Sequence, residues 1–358
     1  MRLLPDEDEL EFTAMLRRLF AVDSESPGVW GLLADAGILG LALPETYGGS
    51  GGSLKDLGAF SVEAGRGLCP TIVHSTIIAG LAVNAIGTAE QRAALLPGIA
   101  AGTCRYATAL WSAVNARVVT PTLRAAPDGE GWLLNGCADF VLDAAHADLV
   151  IVSGTDTADT RSLVFVVPTL SPSLRAEPLT MMGGQTAARL HFDGVRVDDP
   201  RMVLGDTGGV PDDQLHRLAM VATALTSLDL VGVGEAALQR TVDHTVLRHQ
   251  FGRPIASFQA AQHLVADMHI ALAAARLSCW AAVSLLDDGH DATRPTAVAR
   301  MHAAGAAKLA TLDAHQLHGG MGYVVDTDLH RYSERARVLS TLGGGADVAA
   351  TWLEGADS

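Results

Sequence analysis

Two runs of this 358-residue chain combine residue types that could grip an oxyanion. The first is Arg248-His249-Gln250-Phe251-Gly252-Arg253-Pro254-Ile255, followed by Phe258-Gln259. The second is Gln316-Leu317-His318-Gly319-Gly320-Met321-Gly322-Tyr323. A guanidinium is a planar fork that suits a diphosphate, and side-chain-free glycines let backbone N–H groups approach phosphate. Taken singly, each has a plainer reading: Arg248 as a cation closing a helix, Gly319-Gly320 as a helix stop.

Other chemistries find no residues to carry them. No G-x-x-x-x-G-K-[ST] occurs, and Gly48-Gly49-Ser50-Gly51-Gly52 reads as a turn. Gly232-Val233-Gly234 lies inside a helical pattern without a third glycine, and the only letters that spell G-x-S-x-G are those of the Gly48–Gly52 turn, so no nucleophile elbow is read. No H-E-x-x-H occurs, so His315 and His318 read as ordinary partly buried histidines rather than metal ligands. Cys69, Cys104, Cys137 and Cys279 sit far apart without a C-x-x-C pair, which suggests free thiols in a reducing cytoplasm.

The elements that must position the two runs divide into helix, strand, helix. Up to residue 104 the pattern is helical: Leu10 to Ala21, Trp30 to Gly37, Leu54 to Gly65 and Ile72 to Ile86, with a glycine-rich turn through Leu39–Gly49. Thr88-Ala89-Glu90-Gln91 is a capping box opening a last short helix towards Pro97. Over 105–205 come β-rich runs at Leu149–Val152, Leu163–Val167 and Leu190–Phe192, with turns expected at Pro127-Asp128-Gly129 and Asp193-Gly194. These predict an antiparallel β domain, without the strand–helix alternation of a Rossmann sheet. Over 206–358 long helices return: Gln214 to His249, a second capped by Ser257, a third from Pro295 to Gly319, and a fourth over Asp328–Leu342 with a short tail helix. Four long helices with short connections predict an antiparallel bundle. The fold class expected is α+β multidomain, with an N-terminal helical domain (1–104), a middle antiparallel β domain (105–205) and a C-terminal four-helix bundle (206–358).

Composition limits the partners. With 25 Lys+Arg against 40 Asp+Glu the net charge is 25 − 40 = −15, which repels nucleic-acid phosphates and anionic membrane surfaces. Only Lys55 and Lys308 are lysines. Nearly half the residues are hydrophobic, enough for sizeable cores. Met1-Arg2-Leu3-Leu4-Pro5-Asp6-Glu7-Asp8 turns acidic where a leader needs an apolar stretch, and no uninterrupted apolar run is long enough to span a bilayer. A soluble cytoplasmic protein is expected.

The two runs, together with Leu43-Pro44-Glu45-Thr46-Tyr47-Gly48-Gly49-Ser50-Gly51, Gly87-Thr88-Ala89-Glu90-Gln91 and Phe192-Asp193-Gly194-Val195-Arg196-Val197, resemble the acyl-CoA dehydrogenase family over nearly the whole chain. The resemblance implies FAD bound between subunits. Arg248 then matches the arginine reaching the diphosphate of a neighbour's FAD, and Phe251 and Gln259 match further FAD contacts. Gln316, Leu317, His318, Gly319 and Gly320 match the glycine turn under the adenosine-diphosphate half.

Three departures from the family are as informative. Its T-E-x-G-x-G-S-D-like stretch corresponds here to Thr108-Ala109-Leu110-Trp111-Ser112-Ala113-Val114-Asn115, which has no glycine and puts bulk where backbone should meet ligand. Its W-I-T-N segment, which follows an N-G turn, corresponds to Phe140-Val141-Leu142-Asp143 after Asn135-Gly136, and Leu142 cannot hydrogen-bond a flavin. Its catalytic glutamate falls on Gly343-Gly344-Gly345. The alternative family position falls near Ala222, by spacing from Arg248; Glu235, a carboxylate on that helix, lies thirteen residues before Arg248, far along the helix from Ala222, and is expected at the surface.

The resemblance therefore extends to the base-lacking subunit of heteromeric α2β2 acyl-CoA dehydrogenases of actinobacterial sterol side-chain degradation. It implies no catalytic residue in this chain, a homologous partner carrying the glutamate, and a bulky, steroid-derived acyl-CoA as substrate. Two other readings stay open: a self-sufficient flavoenzyme using an unrecognised base such as Asp229 or Glu235, and a flavin-free structural or regulatory subunit.

Overall fold

The computed structural model describes residues 7–20, 28–206 and 208–354. The expectation drawn from the acidic opening falls on residues 1–6, and Ala21 closes the first expected helix; both lie outside the described residues. The described chain forms two compact units. One comprises residues 28–56, 70–206 and 208–222, the other 7–20, 57–69 and 223–354.

Before the sheet come α1 (Glu7–Phe20), α2 (Val29–Asp35), α3 (Leu54–Arg66), α4 (Thr71–Ile86) and α5 (Ala89–Ala100). The capping box at α5 is present in both directions: Thr88 accepts from the Gln91 backbone N–H, and Gln91 accepts from that of Thr88. Pro97 does not end α5, which continues to Ala100. The sheet holds β1 (Tyr106–Ala109), β2 (Leu123–Asp128), β3 (Gly131–Leu142), β4 (Leu149–Asp156), β5 (Ser162–Pro168), β6 (Leu174–Leu179), β7 (Ala187–Val197) and β8 (Val203–Leu204). Its strand order is β6-β7-β3-β2-β4-β5-β8, with β1 also on β4.

The fold class is the expected one, but the sheet is mixed rather than antiparallel. β1 and β2 both run parallel to β4 and share one of its edges, β1 along Leu149–Val152 and β2 along Gly154–Asp156. The cause is topological. β3 returns antiparallel to β2, and the short connection after β3 starts β4 at that same end, on the far side of β2. β4 therefore opposes β3 and must follow β2.

Two dipeptides expected as turns lie inside strands. Asn135 of β3 faces Asp193 of β7 and Gly136 faces Phe192, and a register shift between Leu134 and Asn135 leaves Gly194 opposite no residue. Together they form a bulge in which Gly194 takes φ 72° and donates its N–H to Asn135 Oδ1 at 2.9 Å. The core of this unit sets Ile151, Val164 and Val166 of the sheet against Ala79, Val83, Leu96 and Ile99 of α4 and α5.

The second half of the chain is α6 (Asp212–Leu247), β9 (His249–Gln250), β10 (Arg253–Pro254), α7 (Gln259–Asp287), α8 (Thr293–His318), α9 (Leu329–Thr341) and α10 (Gly345–Thr351). Ser257 does not cap α7: its hydroxyl donates to Pro254 O at 2.7 Å, and Phe258 holds the N-cap position without a side-chain bond. Within the helical unit, α3 and α6 approach backbone to backbone. A Cβ on Gly232 would lie 1.9 Å from Val62 O, and one on Gly65 would lie 2.0 Å from Asp229 O. Gly232-Val233-Gly234 is thus a packing device, as its helical setting suggested. The alanines Ala299, Ala303, Ala306, Ala307, Ala310 and Ala314 form a buried, low-relief stripe on α8.

By length and composition α6 and α7 are each apolar enough to cross a membrane, which a search for uninterrupted apolar runs misses. In α6, 78% of that window is buried inside the protein, the mark of a core helix; in α7 only 33% is, leaving Ile270 and Leu277 exposed.

Candidate functional site

Arg248, Phe251 and Gln259 stand on one short hairpin of the helical unit. The Arg248 backbone N–H still donates to His244 O at 2.8 Å, the last helical bond of α6. β9 and β10 then pair, Gln250 opposite Arg253. Between them Phe251 (φ 53°) and Gly252 (φ 78°) make a two-residue turn with both residues left-handed, the geometry that matches strand twist in tight hairpins. Holding a phenylalanine left-handed costs about 1–2 kcal/mol relative to glycine, yet its ring is 92% exposed. It lies edge-on to Phe258 at 6.2 Å, while the Arg253 guanidinium covers Phe258 at 4.1 Å. Arg248 and Gln259, the first residue of α7, are also exposed.

The second run forms the end of α8 and the turn after it. Gln316 is exposed and Leu317 half-buried in the last helical turn. Gly319 takes φ 58°, ψ −134°, outside the reach of ordinary L side chains. A Cβ on Gly319 or Gly320 would meet nothing within 4 Å, so their bareness serves the open space beside them. Gly322 differs: a Cβ there would lie 2.8 Å from His315 O, so its role is packing. His315 pins the turn by donating from Nδ1 to Gly322 O at 2.7 Å, with Nε2 2.5 Å from the Ser333 hydroxyl of α9 and the ring stacked on Tyr323.

Both runs meet through a histidine pair. His244, one turn before Arg248 on the same face of α6, stacks on His318 with ring centroids 4.2 Å apart and planes at 21°. His318 donates from Nδ1 to Ala314 O at 2.8 Å. Burial, then the neighbouring ring, then Arg248 push the imidazolium of His244 below its ordinary range. His318 is lowered by burial first, with His315 and Arg240 adding to it against the backbone bond. Arg240 closes the corner, its guanidinium 5.0 Å from the Tyr332 ring. A cationic patch with exposed arginine and bare glycine backbone suits the diphosphate and adenosine of FAD. Neither His244 nor the tethering role of His315 was legible in the motifs, because neither position belongs to a recognisable run.

The segments expected at the flavin ring lie in the sheet unit. Leu110 is buried in its core, and Trp111 packs against the same cluster. Ser112–Val118 is a closed loop in which the N–H groups of Ser112, Asn115 and Val118 are spent on Val118 O, Ser112 O and Asn115 O. Phe140 and Leu142 are half-buried around a buried Val141, and Asp143 is left-handed at φ 59°.

The candidate bases are engaged elsewhere. Asp229 is buried in α6 and bound by Arg335 through two bonds of 2.9 and 2.5 Å. Glu235 is not at the surface, as the sequence suggested, but only 20% exposed, held by Arg66 at 2.5 Å and Arg276 at 3.0 Å. Both oxygens of this carboxylate are thus engaged by guanidiniums within the helical unit, as a packing contact between α3, α6 and α7. Ala222 lies half-buried in α6. Gly343, Gly344 and Gly345 form the kink between α9 and α10 with φ 66°, 97° and 68°. The Leu339 and Leu342 carbonyls there are held by the buried Arg300 at 2.5 and 2.6 Å.

Comparison with known proteins agrees with the geometry. Residues 10–103 match the acyl-CoA dehydrogenase N-terminal domain and residues 216–353 the acyl-CoA dehydrogenase C-terminal domain. The chain is 31% identical to the acyl-CoA dehydrogenase IpdE2 of Mycobacterium tuberculosis, over 88% of this chain and 81% of that protein. Against the human mitochondrial short-chain specific acyl-CoA dehydrogenase it is 28% identical, over 87% and 78%. A chain of the Tcur3481–Tcur3483 steroid ACAD superposes with a TM-score of 0.86 at 31% identity, covering 98% of this chain and 99% of that one. The ChsE4–ChsE5 complex from Mycobacterium tuberculosis gives a TM-score of 0.88 at 26% identity, covering 99% and 98%. FAD is the cofactor of this family. From both domain matches and the extent of these likenesses, the chain belongs to the acyl-CoA dehydrogenase family.

Proposed function

We propose that this chain is the base-lacking subunit of a heteromeric FAD-dependent acyl-CoA dehydrogenase. It lends Arg248, Phe251, Gln259 and the Gln316–Gly320 turn to the adenosine-diphosphate half of an FAD site completed by a homologous partner. The partner supplies the glutamate that removes the α-proton of the acyl-CoA, and the flavin, when bound, accepts the β-hydride. The observation that carries the reading is the run of left-handed glycines at 343–345 where the base would stand, taken together with a cofactor half-site whose residues are mostly exposed. The exposed Phe251, Leu247, Tyr323 and Val325 at this end of the helical unit supply apolar surface of the kind a partner subunit covers. The likeness to a steroid ACAD and to the ChsE4–ChsE5 complex supports a heteromeric assembly, which the proposal takes to be α2β2, and a steroid-derived acyl-CoA.

Native mass spectrometry with a visible absorption spectrum tests this, on the chain alone and co-expressed with a candidate partner. The reading expects flavin only in the mixed tetramer, at one FAD per heterodimer. One flavin per chain in a homo-oligomer overturns it.

A further inference from the structure

His244 and His318 occupy the ground between the two halves of the proposed cofactor site. Arg248 lies one turn beyond His244 on the same helix face, and Gly319 follows His318 directly. Their stacking at 4.2 Å is therefore the contact that joins the arginine hairpin to the glycine turn. Both rings are only partly covered.

The charges around the pair are mostly cationic, on a chain whose net charge is −15. Arg240 and Arg248 act on it from α6 and His315 from α8. Carboxylates on the elements that carry or adjoin the pair are Asp243 on α6, Asp313 on α8, Asp326 and Asp328 after it, and Glu334 on α9. Asp243 accepts from Gln239 at 2.9 Å, and Asp328 lies 3.9 Å from Arg331. A neutral, stacked pair thus stands among like charges, which is costly to protonate until an anion arrives.

We propose that His244 and His318 are a proton-linked element of the diphosphate site, neutral when it is empty and taking up a proton when a diphosphate diester binds. This rests on the half-site reading above. The atom that receives the proton is defined for His318. Its Nδ1 donates to Ala314 O, a pure acceptor, so Nδ1 carries hydrogen and Nε2 holds the free lone pair. The buffer acid gives up its proton to Nε2, so one N–H bond forms as the acid's own bond breaks, the buffer's conjugate base is left in solution, and the resulting imidazolium is neutralised by the diphosphate. The linkage has a definite sign. Ligand raises the pair's pKa, so affinity is greatest at low pH and falls as pH rises from the depressed free value through the bound value.

The test is calorimetric titration of the full chain with ADP-ribose, whose doubly esterified diphosphate holds no titratable proton near neutrality. Two buffers of different ionisation heat, at about pH 6.5, report proton uptake directly. The wild-type chain is expected to take up a fraction of one proton per ligand. The His244→Gln/His318→Gln variant should take up none, and its affinity should stay flat with pH where that of wild type falls about tenfold from low to high pH. ADP-ribose that binds wild type without proton uptake, and with no pH dependence, overturns the histidine inference and leaves the half-site reading standing. Absence of saturable binding at any pH, both by the chain alone and in its mixed complex, sinks the half-site reading and the inference with it. If the double variant does not fold, the two-buffer measurement on wild type decides alone.

Discussion

Arg335 binds Asp229 from two nitrogens at once, Nε to Oδ1 at 2.9 Å and Nη2 to Oδ2 at 2.5 Å, with both residues buried in the helical unit. Nη1 of the same guanidinium reaches Cys69 O at 2.6 Å, so one side chain ties α9, α6 and the segment after α3 together. Replacing Arg335 with methionine leaves a buried carboxylate uncompensated. Urea denaturation of Arg335→Met should show a loss of about 3–5 kcal/mol. Adding Asp229→Leu should restore most of it, because the stranded charge is then gone. A near-wild-type Arg335→Met would mean the pair contributes little.

Glu235 lies between Arg66 and Arg276 as a structural anion. Glu235→Gln is expected to leave turnover of the mixed complex within a few-fold of wild type. Removing a true general base costs at least ~10²-fold, so a drop of that size with flavin still bound would make this residue the missing base.

The kink at Gly343–Gly345 bears on whether the lost base can simply be put back. Gly344 has φ 97° and follows Gly343 at φ 66°. Gly344→Glu should lower stability by about 1–2 kcal/mol, since a Cβ strains this backbone, and should give no dehydrogenation by the isolated chain. Thermal melting and a turnover assay read the two effects separately. Turnover by that variant alone would show that this chain has a complete ring and substrate pocket.

Arg248 is exposed and, with Arg253, gives the hairpin its charge. In the mixed complex Arg248→Ala should weaken FAD retention by roughly tenfold or more, as loss of a charge-assisted bond to phosphate does. Gel filtration followed by the flavin absorption ratio measures it. Unchanged retention would favour a subunit that stabilises its partner without touching the flavin.

Long helices were legible because their apolar spacing is local and repeats over many turns; α4, α6, α8 and α9 start and stop within a few residues of the expected positions. Local signals that need a partner to be interpreted were misleading. Asn135-Gly136 and Asp193-Gly194 carry turn chemistry, but pairing of β3 with β7 converts them into one bulge. Ser257 has the composition of a cap, and its hydroxyl is captured by Pro254 O instead. The parallel edge of β4 depends on strand order, which no window of residues contains.

The sequence by itself determined which side chains are available at each position: arginine and bare glycines in the two oxyanion-binding runs, and no carboxylate at 343–345. Tertiary structure decided what those side chains can do. It set His244 against His318, enclosed Glu235 between two guanidiniums, and paired Asp229 with Arg335. Each of these joins residues from different helices, and such contacts arise only when helices pack at a particular register. That register is set here by glycines such as Gly65 and Gly232, whose function appears only once the opposing backbone is in place.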